Sequence, residues 1–82
     1  MATVDRDGID PQILEGRHPG VTAIARYFQW AHLREGRLRT LSAGFAQHAE
    51  ELLIELDDSP ELTAGLRKLL EAKDCFVRAA LD

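Results

Sequence analysis

The stretch that settles the architecture is ELDDSPELTAGL, residues 55–66. Ser59 is a good N-cap, Pro60 stands where a first helical residue loses nothing by lacking an N–H, and Glu61 suits the positive end of a helix. A helix therefore starts at residue 60. Downstream, Leu62, Leu66, Leu69, Phe76 and Ala80 line one face, with Leu70, Val77 and Leu81 beside them, so the helix is expected to run to about residue 81. Upstream, Leu38, Leu41, Phe45, Ala49, Leu52 and Leu56 recur at spacings of three and four and predict a helix over 38–56. A joint of about three residues between two such helices forces an antiparallel hairpin, with arms roughly 28 Å long.

The expected fold class is all-α: a short front helix followed by this long hairpin, in one domain over 18–82. HPG at 18–20 is a turn signal, and VTAIARYFQWAHL after it is read as the front helix, with Val21, Ile24, Phe28 and Ala31 on its apolar stripe. Tyr27 falls beside that stripe and Trp30 off it. REG at 34–36 breaks the chain before the first long helix. Residues 1–17 are polar, with two glycines and a proline and no sustained periodicity, and are read as a flexible or loosely docked arm. Two helices cannot cover each other's wide stripes, so the hairpin is expected to assemble with further copies of itself.

At 82 residues there is room for one core only, and a single cysteine, Cys75, excludes an internal disulfide and a cysteine metal cluster. The start MATVDRDGID is acidic without an apolar run, so no signal peptide is expected. Nor does any apolar segment reach membrane-spanning length. A cytoplasmic location and no membrane partner are the expectation.

The net charge of −4 conceals an asymmetry. Residues 17–40 hold Arg17, Arg26, Arg34, Arg37 and Arg39 against Glu35, a net of +4. The first 16 residues, with four acids against Arg6, carry −3, and residues 50–82, with nine acids against four bases, carry −5. A long nucleic acid calls for a broad basic face, because each phosphate contact adds affinity. A small basic patch between acidic segments fits a small anion instead.

Catalytic chemistry is not in evidence. His18, His32 and His48 fall on three separate elements without metal-ligand spacing, and there is no phosphate-cradling glycine loop. Cys75 sits among apolar neighbours and reads as a buried small residue rather than a nucleophile. Asp57 and Asp58 read as a solvated turn. Neither an enzyme nor a bound cofactor or metal is expected. Recognition chemistry is better supplied by RYFQWAHLREGRLRTLS, residues 26–42. Aromatic faces stack on nucleobases for about 1–3 kcal/mol each, and arginine forks pair with phosphate. The competing reading makes Phe28 and Trp30 core rings and the arginines a wetted face. Two further residues stand out. Gly44, inside a helix, permits close approach of a ligand or another backbone, and Lys73 interrupts the last apolar stripe as an edge lysine or as a cation facing a site between chains.

HAEELLIELDDSPELTAGLRKLLEAKDCFVRAAL, residues 48–81, resembles the helical hairpin domain shared by phage anti-CBASS and anti-Thoeris sponge proteins. The resemblance rests on the Ser59-Pro60-Glu61 turn, then Leu66, Leu69, Glu71-Ala72 and Ala79-Ala80, and covers about 40% of the chain. It implies a small helical homo-oligomer, typically a hexamer, that holds cyclic di- or trinucleotides between protomers without cleaving them. Such a protein withdraws the second messenger of an antiphage defence. By position, Tyr27 or Trp30 corresponds to the ring that stacks on a base, and Arg37, Arg39, Thr40 and Ser42 to the groups that meet phosphates. Arg67, with Lys68, corresponds to a second site for trinucleotides in some members. A lysine expected just inside the first long helix is missing, its place taken by Ser42, Ala43 and Gly44. The other function consistent with the sequence is a helical oligomerisation or protein-interaction module with no nucleotide ligand.

Overall fold

Each of the three prolines opens a helix. The computed structural model of the chain describes residues 8–30 and 36–81, which form α1 (Pro11–Leu14), α2 (Pro19–Ala25), α3 (Arg37–Glu55) and α4 (Pro60–Leu81), with no strand among them. The residue before each proline caps the helix it precedes. Asp10 Oδ1 accepts from Gln12 N at 2.9 Å, His18 Nδ1 from Gly20 N at 2.9 Å and Ser59 Oγ from Leu62 N at 3.0 Å. The logic of Ser59-Pro60 is thus repeated at Asp10-Pro11 and His18-Pro19, and both ends of α4 lie where its capping and periodicity place them. Helix α3 starts differently. Gly36 precedes it with φ of 111°, a left-handed backbone that favours glycine, and offers no side-chain cap.

Helix α2 is shorter than the expected front helix. It stops at Ala25, after which Tyr27 N and Phe28 N donate to the carbonyls of Ile24 and Ala25, each at 3.0 Å. This tightened last turn swings Phe28 inward while freeing the backbone beyond it. Val21, Ile24 and Phe28 are all buried, as the stripe predicts; Ala31, like His32 and Arg34, lies outside the described residues.

The core gathers Ile9, Val21, Ile24, Ala25 and Phe28 from the front of the chain, Ala46, Ala49 and Leu53 from α3, and Leu62 and Leu66 from α4. On α3 the line that faces inward is Ser42, Ala46, Ala49 and Leu53, about one residue round from the predicted face. Leu38, Leu41, Phe45 and Leu52 flank this line, and Leu56 is exposed. Small residues at 46 and 49 let the elements packed on α3, α4 foremost, approach its backbone closely, which the larger leucines would prevent.

Residues 8–17, within the stretch read as an arm, are packed onto the rest. Ile9 is in the core, and Asp10 N donates to Glu50 Oε2 at 2.7 Å. A Cβ added at Gly8 would lie 2.7 Å from the Phe28 carbonyl oxygen, so the arm runs hard against that backbone. Arg17 then reaches across to the end of α3. Its guanidinium donates from Nη1 to the Leu53 carbonyl at 2.6 Å, from Nη2 to the Leu56 carbonyl at 2.8 Å, and from Nε to Asp58 Oδ1 at 2.7 Å. Asp58 Oδ2 accepts from His18 N at 2.6 Å. Asp58 is therefore an anchor rather than part of a freely solvated turn, and Arg17 is withdrawn from the basic patch.

The far half of α4 has less to pack on. Phe45, near the start of α3, stacks on Phe76 with centroids 5.9 Å apart, yet Phe76 remains 56% exposed, and Leu81 is also open. Cys75, expected in the interior, is exposed, with Arg78 Nη2 donating to its Sγ at 3.4 Å. Its neighbour Phe76 meets the Phe45 ring of α3, while the Cys75 side chain itself stays open to solvent. Lys73 behaves as an edge lysine: its stem is largely covered and its Nζ pairs with Asp74 Oδ1 at 2.8 Å.

Two outcomes follow from the Arg17 clamp. Arg17→Ala leaves the Leu53 and Leu56 carbonyls without their cationic donor and is expected to cost about 1.5–3 kcal/mol in chemical denaturation. The His18 N–H, followed by the Arg17 guanidinium, holds the Asp58 carboxyl below its ordinary 3.8. A carboxyl depressed on folding contributes stability above its unfolded pKa and loses it as pH falls through the folded one. Thermal melts should therefore show an acid destabilisation that develops below about pH 3.8 and is absent from Asp58→Asn.

Candidate functional site

Helix α3 begins with a cationic turn where a helix ordinarily prefers acids. Arg37 and Arg39 stand in or beside its first turn, no acidic residue does, and Gly36 supplies no side-chain cap. The unpaired N–H groups of that turn already carry partial positive charge, so each added cation costs the helix about 0.3–1 kcal/mol. The same arrangement draws an anion toward the helix start.

Trp30 lies next to this turn. Its ring is partly buried against the core, and the Arg39 guanidinium carbon sits over it, 5.2 Å from the ring centre. Stacking of this kind is electrostatic, between the cation and the negative face of the indole. Where a guanidinium meets a ring with its face, the N–H donors in its plane stay available to an anion. Trp30 and Arg39 belong to a shallow, open cleft of about 690 Å³, lined also by Gly36, Thr40, Ala43, Gly44 and Gln47. Positions 36, 40, 44 and 47 fall on one strip of α3, so the cleft runs along the outer side of the helix with the indole at one flank. Its volume is in the range of small-molecule sites.

The residues expected to bind a ligand are thus divided. Trp30, Arg39 and Thr40 share the cleft, with Arg37 exposed at the same helix start. Tyr27 is elsewhere: it is 55% exposed, with Arg26 held over its ring at 5.0 Å and Arg26 Nη2 donating to its hydroxyl at 3.3 Å. Ser42 is 3% exposed on the core side of α3 and faces away from the cleft, so its expected role in meeting phosphate is corrected to one in packing. The reason is angular: residue 42 is two positions beyond Thr40, and two helical steps turn a side chain through about 200°. Arg67 is exposed on α4, outside the cleft.

Gln47 and Gly44 complete the strip, and the first of these was not singled out by sequence. Its signal was present, since 40, 44 and 47 share helical spacing, but a lone glutamine on a polar face has no distinguishing chemistry until a ring and a cation are found beside it. No group of three metal-ligating side chains occurs among the described residues. His18 uses Nδ1 as a cap, and His48 Nδ1 approaches Glu51 at 3.5 Å.

No protein-family model, curated protein or solved structure matches the chain.

Arg37→Glu replaces a cation by an anion at the positive end of α3 and should raise stability, by about 0.5–1 kcal/mol at low ionic strength, in urea unfolding. Ser42→Leu, by contrast, overfills the buried side of α3 and should lower it by about 1–3 kcal/mol.

Proposed function

We propose that the protein binds a cyclic di- or trinucleotide without cleaving it and thereby sequesters a signal of nucleotide-activated antiphage defence. The observation that carries this reading is the Trp30–Arg39 pair at the cation-rich start of α3, opening on a cleft with Thr40. A base would stack on Trp30, Arg39 and Arg37 would meet phosphate, and the Thr40 hydroxyl would add a hydrogen bond. The cost of placing arginines at a helix start is repaid when an anion binds there. Binding needs no general acid or base. Trp30, rather than Tyr27, takes the stacking role, because it is the ring that shares a cleft with the cations.

The resemblance of residues 48–81 to the sponge hairpin domain adds the rest of the picture. In this reading α3 and α4 form an antiparallel hairpin, copies of the chain assemble as a homo-oligomer, a hexamer by analogy, and the protein acts in the cytoplasm of the host cell. No described helix is long and apolar enough to cross a membrane. An oligomer would also cover apolar surface that one chain leaves open, since a shallow cleft on one helix becomes a pocket when a second copy supplies the facing wall.

A second reading is favoured by that same surface. Ile54, Leu56, Phe76 and Leu81 are exposed, and an apolar groove of about 610 Å³ runs between α3 and α4 past Leu52, Leu62, Leu66 and Leu69. An interaction module with no nucleotide ligand would display such a surface.

Isothermal titration calorimetry against cyclic di- and trinucleotides, with the ligand recovered after heat denaturation, separates the two. Tight binding, loss of at least tenfold in affinity in Trp30→Ala, and intact ligand on recovery are expected. Cleaved ligand would overturn both readings, and an absence of binding with an assembled protein in sedimentation analysis would leave the interaction module.

A further inference from the structure

Gly44 poses a question the fold does not answer. It lies in the middle of a 19-residue helix, where glycine is less favourable than alanine, and its φ is not positive. A Cβ at this position would meet nothing within 4 Å. No neighbour among the described residues requires the glycine, and the space a side chain would fill is the floor of the cleft. Gly65 on α4 is equally open, but it lines the apolar groove, where no aromatic ring stands beside it. At Gly44 the surroundings are an indole, an arginine, a hydroxyl and an amide.

Those groups are ordered along α3. The cationic and hydroxyl end is Arg39 with Thr40, the bare backbone of Ala43 and Gly44 follows, and Gln47 closes the other end. Gln47 is exposed, and seven residues beyond Thr40 place it about 10 Å further along the axis. That order matches a nucleotide laid lengthwise, phosphate toward the helix start and base edge toward Gln47. A glutamine amide carries one acceptor and two donors on one planar group. It complements the edge of adenine, accepting from N6 and donating to N7, whereas guanine presents two acceptors there and calls for arginine or lysine.

We infer that Gln47 reads the base edge of the ligand and selects adenine, and that Gly44 is the contact that lets the base lie against the helix. The inference rests on nucleotide binding at the Trp30–Arg39 cleft and names the base it takes.

The test uses the full chain, the fluorescence of Trp30, its single tryptophan, and three probes: cyclic di-adenylate, cyclic tri-adenylate and cyclic di-guanylate. The wild type should prefer an adenine ligand over cyclic di-guanylate by about tenfold or more, the value of one bidentate base contact. Gln47→Ala should bring that ratio to within about twofold while quenching of Trp30 persists. Gln47→Glu, which loses the donor to N7 and adds a negative charge beside an anionic ligand, should weaken the adenine ligands at least as much as Gln47→Ala does. Gly44→Ala should raise Tm by about 4 °C, as a helical Gly-to-Ala change does in a domain of this size, while weakening every ligand. A wild type that binds with a ratio indifferent to Gln47 overturns the adenine assignment and leaves nucleotide binding standing. Unchanged affinity in Gly44→Ala overturns the close contact. A wild type that binds none of the three probes overturns this inference together with the reading on which it rests.

Discussion

The arrangement of this small protein depends on one guanidinium. Arg17 takes the last carbonyls of α3 and the Asp58 carboxylate at once, and Asp58 in turn receives the His18 backbone N–H. The C-terminal end of α3, the connection to α4 and the start of α2 are thereby tied at one point. Fixing α2 there holds Val21, Ile24 and Phe28 in one core with Ala46, Ala49 and Leu53 of α3 and Leu62 and Leu66 of α4. A chain of this size has little apolar surface to bury, so a charge-assisted clamp that also satisfies helix-end carbonyls does work that packing alone would leave undone.

The same placement explains the cleft. With α2 held at its start and Phe28 drawn into the core, the chain leaves the core at Gln29 and Trp30 on the outer side of α3. Trp30 is packed on one side by the core and meets Arg39 on the other, so the ring is held by apolar contact and the cation by the ring. The stability lost to an uncapped, cationic helix start and a mid-helix glycine is concentrated in this region. Local sequence choices that disfavour a helix, and that nothing among the described residues offsets, are the mark of a surface shaped for something outside it.

Much of the fold was legible because helices announce themselves locally. Ser59-Pro60-Glu61 and the leucine spacing mark α4, and the α3 repeat marks a helix within a residue or two of its observed ends. The four-residue α1 is below the length at which periodicity can be seen, though Asp10-Pro11 carries the same start signal as Ser59-Pro60. The α3 face was displaced by one residue because the large side chains outline the stripe while the small ones, Ala46 and Ala49, mark the closest contact. Cys75 looked internal from its apolar neighbours, but it is exposed, and its neighbour Phe76 is only partly covered, by the Phe45 ring of α3.

The sequence by itself determined α3, α4, the Ser59 cap and the gathering of rings and positive charge between residues 26 and 39, because these follow from propensity, capping and composition within a few residues. Only the tertiary structure decided that Trp30 and not Tyr27 stands beside Arg39, that Ser42 faces inward, that Gln47 joins the cleft, and that Arg17 closes on Asp58 across 41 positions of chain. The physical reason is that periodicity gives a side chain its angle on its own helix, whereas what it faces depends on where the other elements are tied down.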